Sequence, residues 1–190
     1  MSKAVLISIR PKWVEKIANG EKTIEVRKTR PKLDTPFKCY IYCTLPKYPH
    51  EDFIATDYPR PQFYGGGKVI GEFTCDRIYK IDKDSTDFLF KTGGLSVYKQ
   101  AAEEKCGLCV AMTDDELHGY LGHSQGYGWH ISDLLIYDQP RELSEFQRAT
   151  DPCDSCHAEY TWECTDCKKL GGDIKRPPQS WCYVEDVQAK

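Results

Sequence analysis

The stretch from Gly20 to Arg27, with the sequence GEKTIEVR, constrains the fold of this chain more than any other part of it. Alternation of apolar and polar residues predicts a strand in which Ile24 and Val26 point to one face. The opposite face then carries Thr23, Glu25 and Arg27, and residues two apart on one side of a strand lie about 6.5–7 Å from each other. With Lys22 at the mouth where the strand begins, this spacing suits the floor of a polar pocket. A solvated strand face carrying a Glu–Arg ion pair is the alternative.

The residues before this stretch predict a strand and a short helix. Apolar residues alternate with polar or small ones from Val5 to Ile9, as in a strand. Pro11 is suited to the first position of a helix, where its missing N–H costs nothing. Apolar residues then follow at helical spacing, and Asn19-Gly20 is typical of a left-handed helix end. The stretch therefore opens a second strand directly after a helix.

The rest of the sequence predicts mostly short strands. We expect strands over 37–43, 68–81 (bent at Gly71), 127–137 and 181–187, with an irregular loop over 45–67. Helices are predicted over 96–105 and from a capping box at Thr113, with Leu117, Tyr120 and Leu121 facing inward. A helical turn is predicted over 144–148. Short strands with few helices are typical of a small closed barrel.

The arrangement of strand, helix, G-x-K-T-x-E-x-R and strand resembles the ASCH domain, a small β-barrel related to the PUA fold. The signature is carried by Gly20, Lys22, Thr23, Glu25 and Arg27. Weaker similarity continues in KVIGEFTC (68–75), GWHI (128–131) and PPQSWCYV (177–184). The resemblance implies an α+β, mainly β fold: a PUA-like small β-barrel with two or three short helices. The barrel would comprise residues 1–150 and 173–190, with a cysteine-rich, zinc-knuckle-like insertion over 151–172.

The resemblance also implies a cleft that binds RNA or a (modified) nucleobase or nucleotide, where the first helix, the Lys22–Arg27 strand and the barrel mouth meet. Cationic side chains would engage phosphates or base edges, and Glu25 would accept from an exocyclic amine, as acidic side chains do with cytosine. An aromatic ring such as that of Trp129 or Tyr127 could stack on a base, although both could equally be core residues. The ligand-binding residues predicted in this way are Lys12, Lys22, Thr23, Glu25, Arg27, Trp129 and His130.

Two enzymatic alternatives come with the same resemblance. Some small ASCH proteins are amidohydrolases of N(4)-acetylcytidine, in which a lysine matching Lys22 activates a threonine. This chain has Glu25 in the place of that threonine. Thr23 is a hydroxyl nearby, but a shift of one residue along a strand reverses the direction of a side chain, and a nucleophile that points away cannot reach its base. Lys22 and Glu25 could still polarise water as a catalytic pair. Ribonuclease action is the further alternative, for which the sequence offers no clear carboxylate cluster.

The ten cysteines comprise two groups of four and one further pair. Cys39, Cys43, Cys75 and Cys182 lie in predicted strands and suit small core positions. Two C-x-x-C pairs lie in a polar segment, at Cys153, Cys156, Cys164 and Cys167. This pattern predicts a structural zinc site that stabilises the insertion. Disulfide bonds between these cysteines are the alternative to zinc, and they fit a reducing compartment poorly. His157 is a possible substitute ligand, and a third pair, Cys106 and Cys109, could be redox-active, supply ligands or be a coincidence.

The charge distribution is more informative than the net charge of −3. Residues 1–32 contain nine Lys or Arg against three Glu, so this end of the chain could meet phosphates. Residues 141–167 contain two Arg against seven acidic residues, which makes a protein partner for the acidic insertion possible. The sequence has no run of 18 apolar residues and no signal-peptide pattern at its start, so we expect a cytoplasmic protein without a membrane span.

Overall fold

A computed structural model describes residues 3–45, 53–54, 63–81, 110–122, 124–149 and 172–187. The two α-helices of these residues are α1 (Pro11–Ala18) and α2 (Asp114–Leu121). The strands are β1 (Lys3–Ile9), β2 (Ile24–Arg27), β3 (Phe37–Cys43), β4 (Phe53–Ile54), β5 (Phe63–Tyr64), β6 (Val69–Cys75), β7 (Ile78–Ile81), β8 (Gly126–His130), β9 (Ser132–Arg141), β10 (Gln147–Arg148), β11 (Gly172–Asp173) and β12 (Trp181–Glu185). Neither helix is long and apolar enough to cross a membrane.

A seven-stranded sheet in the order β11-β10-β12-β1-β3-β6-β9 forms the centre of the fold. Strand β1 runs parallel to β3 and antiparallel to β12, and it is buried from Ala4 to Ile9. Its sequence is a nearly continuous apolar run, as expected for a strand that is covered on both faces. One face of the sheet packs in a cluster with Val5 and Ile7, and the other in a cluster with Ala4 and Leu6.

A smaller sheet, in the order β2-β8-β7, covers the first of these faces together with α1. The two sheets share a bend, because β6 and β9 pair in the large sheet while β7 and β8 pair in the small one. At this bend Ile131, between β8 and β9, donates its N–H to the carbonyl of Thr23 at 2.8 Å. Helix α2 packs on the other face of the small sheet, where Leu117 and Leu121 share a hydrophobic cluster with Ile24.

The predicted mainly β fold is confirmed, whereas the predicted closed barrel is wrong for the residues that the structure describes. Their strands form two larger sheets and the β4-β5 ribbon, which are separate hydrogen-bonded units. The reason lies in the bends at Asp76-Arg77 and at Ile131, where the strands leave one sheet and enter the other. The same bends divide the predicted strands 68–81 and 127–137 into two strands each.

Local signals in the sequence explain both helices. Pro11 is the first residue of α1, and Gly20, just beyond its end, has a φ of +76°, which favours glycine. Thr113 and Glu116 form the predicted capping box of α2. The turn predicted over 144–148 is a 3₁₀ helix at Leu143–Glu145 followed by β10. The helix predicted over 96–105, and residues 151–171 of the cysteine-rich insertion, lie outside the described residues, so the predicted domain division stays a prediction.

Candidate functional site

A cleft of about 490 Å³ lies where the end of β1, helix α1, strand β2 and the segment before β12 meet. Its volume is within the range of small-molecule sites. Residues from distant parts of the sequence line it: Ser8, Ile9, Arg10, Trp13, Lys22, Glu25, Val26, Arg27, Thr44, Met112, Tyr120, Pro177, Pro178, Gln179 and Ser180. The cleft is therefore a product of the tertiary fold.

Three buried charged side chains form one group at the cleft. The Glu25 carboxylate lies 2.9 Å from Nη2 of Arg27 through Oε1, and 3.4 Å from Nζ of Lys22 through Oε2. The side chains of Glu25 and Arg27 are each 8% exposed, and that of Lys22 is 1% exposed. Such a group is stable only if its hydrogen-bonding capacity is satisfied, since removing charges from water is costly.

The ammonium group of Lys22 is surrounded by acceptors within the protein. Its Nζ donates to the carbonyl of Ile24 at 2.8 Å and to that of Val110 at 2.7 Å, and its third neighbour is Glu25. An ammonium group has three hydrogens and no lone pair to accept a proton. In this arrangement Lys22 contributes positive charge and holds the Glu25 carboxylate in place. Lys22 is buried, and it lines the cleft just before β2 begins.

Arg27 connects the charged group to the neighbouring strand. Its Nη2 also donates to the carbonyl of Ser8 at 2.7 Å. Ser8 in turn donates its hydroxyl to the carbonyl of Pro178 at 2.7 Å and its N–H to that of Ser180 at 2.9 Å. Because β1, β2 and the segment before β12 are joined in this way, the cleft has little freedom to rearrange at its base.

Aromatic rings and a further cation complete the cleft. Trp13 of α1 and Tyr120 of α2 line it, and Nζ of Lys22 lies 5.4 Å from the centre of the Trp13 ring. Arg10 lines it as well and is exposed. The charged lining residues are thus three cations and one carboxylate, which leaves two formal positive charges in excess. A site of this kind favours a ligand that combines an anionic group with a flat apolar ring.

Solved structures match this chain across most of its length. It is similar to the crystal structure of ASCH from Zymomonas mobilis, with a TM-score of 0.53 and 16% identity over 96% of this chain and 87% of that one. Two mutants of the same bacterial protein match comparably, with TM-scores of 0.53 and 0.52. The chain has the ASCH fold. No protein-family model matches its sequence, and comparison with curated proteins gives no match.

The ASCH fold brings together three of the seven residues predicted to bind a ligand, namely Lys22, Glu25 and Arg27. Lys12 is absent from the cleft lining, because its Nζ pairs with Glu116 of α2 at 2.6 Å. Thr23 does not line the cleft either, and its carbonyl accepts the hydrogen bond from Ile131 at the bend.

The structure places Trp129 and His130 away from the cleft. Trp129 lies opposite Glu25 in the small sheet and is completely buried, with its ring 5.9 Å from that of Phe37 and 6.0 Å from that of Trp181. It is a core residue and cannot stack on a ligand in this conformation. His130 follows on the opposite face of the strand, where its Nδ1 lies 2.6 Å from Asp76. Burial raises the pKa of Asp76, but the hydrogen bond and charge of His130 outweigh it and hold that pKa below its ordinary value.

Several cleft residues were not predicted as ligand contacts, among them Arg10, Trp13, Tyr120 and Gln179. Tyr120 was expected to face inward, yet it is 36% exposed and lines the cleft, whereas Leu117 and Leu121 are buried as predicted. Helical spacing shows which residues share a face, but not that α2 packs beside β2. The basic character of residues 1–32 was the available signal for Arg10.

The structure tests only part of the cysteine predictions. Cys39, Cys43 and Cys75 are buried free thiols, as expected of core residues, and Cys182 is half-buried. Burial raises the pKa of the Cys75 thiol to about 12. Among the described residues no three His, Cys, Asp or Glu side chains are grouped as a metal site. The predicted zinc ligands Cys153, Cys156, Cys164 and Cys167 lie outside those residues, as do His157 and the pair Cys106 and Cys109, so zinc stays a prediction.

Proposed function

We propose that this ASCH-fold protein binds RNA, or a (modified) nucleobase or nucleotide, in the cleft between α1, β2 and the segment before β12. The observation that carries the proposal is the buried group of Lys22, Glu25 and Arg27 beside two aromatic rings. Its excess positive charge suits a phosphate, and the rings of Trp13 and Tyr120 suit the face of a base.

The Glu25 carboxylate supplies the polar element of base recognition in this proposal. Each carboxylate oxygen has two acceptor positions, and the described ion pairs take up one neighbour on each oxygen. The remaining acceptor capacity can receive an exocyclic amine, such as N4 of cytosine. Because Lys22 and Arg27 fix the carboxylate, the base would meet a preorganised acceptor.

The geometry favours binding over hydrolysis. A general base needs a free lone pair near the reacting water. Nζ of Lys22 donates to the carbonyls of Ile24 and Val110 and is paired with the Glu25 carboxylate. Lys22 would have to leave these partners before it could act as a base on an acylated cytidine.

Fluorescence anisotropy with a labelled single-stranded RNA tests the proposal. Arg10→Gln removes an exposed cation from the cleft rim and should weaken binding and reduce the salt dependence, since each phosphate contact releases counterions. Arg148→Gln is the matched control, because Arg148 is exposed on β10 and does not line the cleft.

Competition with cytidine monophosphate, cytidine and N(4)-acetylcytidine then ranks the ligands. We expect the monophosphate to compete best, because only it carries the anionic group. Absence of RNA and nucleotide binding, or an equal effect of Arg148→Gln, would overturn the proposal. Release of cytidine from the acetylated nucleoside would support the amidohydrolase instead.

A further inference from the structure

A second hollow, of about 550 Å³, lies beyond the end of β2. The loop that follows this strand and one residue of β8 line it: Lys28, Thr29, Arg30, Pro31, Lys32, Leu33, Asp34 and Tyr127. Three cations thus face one carboxylate. The hollow shares no lining residue with the cleft described above.

Hydrogen bonds with strand β12 hold the loop around this hollow in place. Trp181 donates its indole N–H to the hydroxyl of Thr29 at 3.0 Å, and Lys32 donates its backbone N–H to the hydroxyl of Tyr183 at 2.8 Å. Leu33 packs against the main hydrophobic cluster. The backbone is therefore anchored, while the side chains of Lys28, Arg30 and Lys32 are exposed.

Two cations of this loop lie beside aromatic rings. Nζ of Lys28 lies 5.5 Å from the ring centre of Tyr120, and the guanidinium of Arg30 lies 6.0 Å from that of Tyr127. Interleaved cations and rings are typical of surfaces that follow single-stranded nucleic acid, because the cations contact phosphates and the rings stack on bases of any sequence.

The hollow lies next to the cleft. Arg27 lines the cleft and the next residue, Lys28, lines the hollow. Tyr120 belongs to the cleft and is the ring beside the Lys28 ammonium. The pair of Tyr120 and Lys28 therefore lies between the cleft and the hollow.

We propose that the hollow at Lys28–Asp34 is a second subsite, which binds the phosphodiester backbone of a single strand whose neighbouring nucleotide occupies the cleft. This inference rests on the proposed function and deepens it: the preferred ligand is a strand of several nucleotides, and a free mononucleotide fills only half of the site. RNA and DNA share the phosphodiester chemistry, so the test compares both.

The decisive comparison is between a mononucleotide and an oligonucleotide of about eight nucleotides, within the usual site size of such surfaces. The hollow variant is Lys28→Gln/Arg30→Gln/Lys32→Gln, whose three side chains are exposed, so folding should be retained. The control variant Lys68→Gln/Arg77→Gln/Arg148→Gln makes the same change in net charge at positions that line neither hollow nor cleft. Thermal unfolding verifies that both variants fold.

We expect the hollow variant to bind the octamer about tenfold or more weakly and the mononucleotide as well as the unmodified protein does. Three lost phosphate contacts should also reduce the slope of log affinity against log salt by about two, at roughly 0.7 per phosphate for a single strand. The control variant should retain its affinity for the octamer. Binding of the deoxyribose octamer compared with the ribose octamer then identifies which strand the subsite prefers.

Three results would overturn the inference. The octamer could bind the unmodified protein no better than the mononucleotide, or both triple variants could lose octamer affinity equally. An acidic peptide such as oligoglutamate could also displace the octamer as effectively as unlabelled RNA does, which would assign the hollow to a protein partner. None of these results contradicts nucleotide binding in the cleft, whereas failure of the unmodified protein to bind either nucleotide ligand would overturn the proposed function itself.

Discussion

The substitution Glu25→Gln tests whether the buried charged group behaves as its geometry requires. It keeps the size of the side chain and removes the only carboxylate that the described structure places within 4 Å of both Lys22 and Arg27. Removing one partner of a buried ion pair typically costs about 3–5 kcal/mol, because the other charge stays buried. Lys22 keeps two carbonyl acceptors and Arg27 keeps one, so we expect a loss near the lower end, about 3 kcal/mol.

Urea unfolding followed by tryptophan fluorescence measures this loss, and thermal unfolding should show a Tm lower by about 6–12 °C. Glu21→Gln is the matched control: it makes the same chemical change at an exposed position one residue before Lys22, so its effect should stay within about 0.5 kcal/mol. High salt should leave the difference in place, since buried pairs are weakly screened. Equal stabilities of the two variants, or a difference that high salt abolishes, would refute the reasoning.

Two further predictions concern the scaffold. A Cβ at Gly71 would collide with the backbone carbonyl of Leu135, so Gly71→Ala should lower the free energy of unfolding by about 1–3 kcal/mol. Gly119→Ala, where the added Cβ meets open space on α2, should not lower it. Urea unfolding that ranks the two variants the other way would contradict the pairing of β6 with β9. Because the folded-state pKa of Asp76 is lowered, its pair with His130 stabilises the protein above the ordinary carboxyl pKa, and that stabilisation is lost as the pH falls through the lowered value. Asp76→Asn should therefore reduce stability slightly at neutral pH and match the unmodified protein in acid, and a gap that does not change with pH would argue against the pair.

Local patterns predicted the elements that depend on neighbouring residues. The alternation in β2, Pro11 at the start of α1 and the capping box at Thr113 all have their causes within a few residues. The same alternation placed Glu25 and Arg27 on one face correctly, because the side-chain period of a strand is a local property.

The sequence could not show which face of each strand becomes covered by the rest of the protein. Lysine is usually exposed, and the burial of Lys22 depends in part on the carbonyl of Val110, a residue distant in the chain. Trp129 lies on the same face as Glu25, yet the large sheet covers it completely. The bends that divide the long predicted strands also depend on pairing between sheets, which no local pattern reports.

The joining of β1 to β12 has a consequence for biosynthesis. Ser8 and Arg10 form one wall of the cleft and Pro177–Ser180 form another, although about 170 residues separate them in the chain. A ribosome therefore makes one wall long before the other, and contacts of such sequence separation are slow to form. We expect the emerging polypeptide to be unable to capture its ligand until β12 has been translated and has docked, so that recognition begins only once translation has passed that strand.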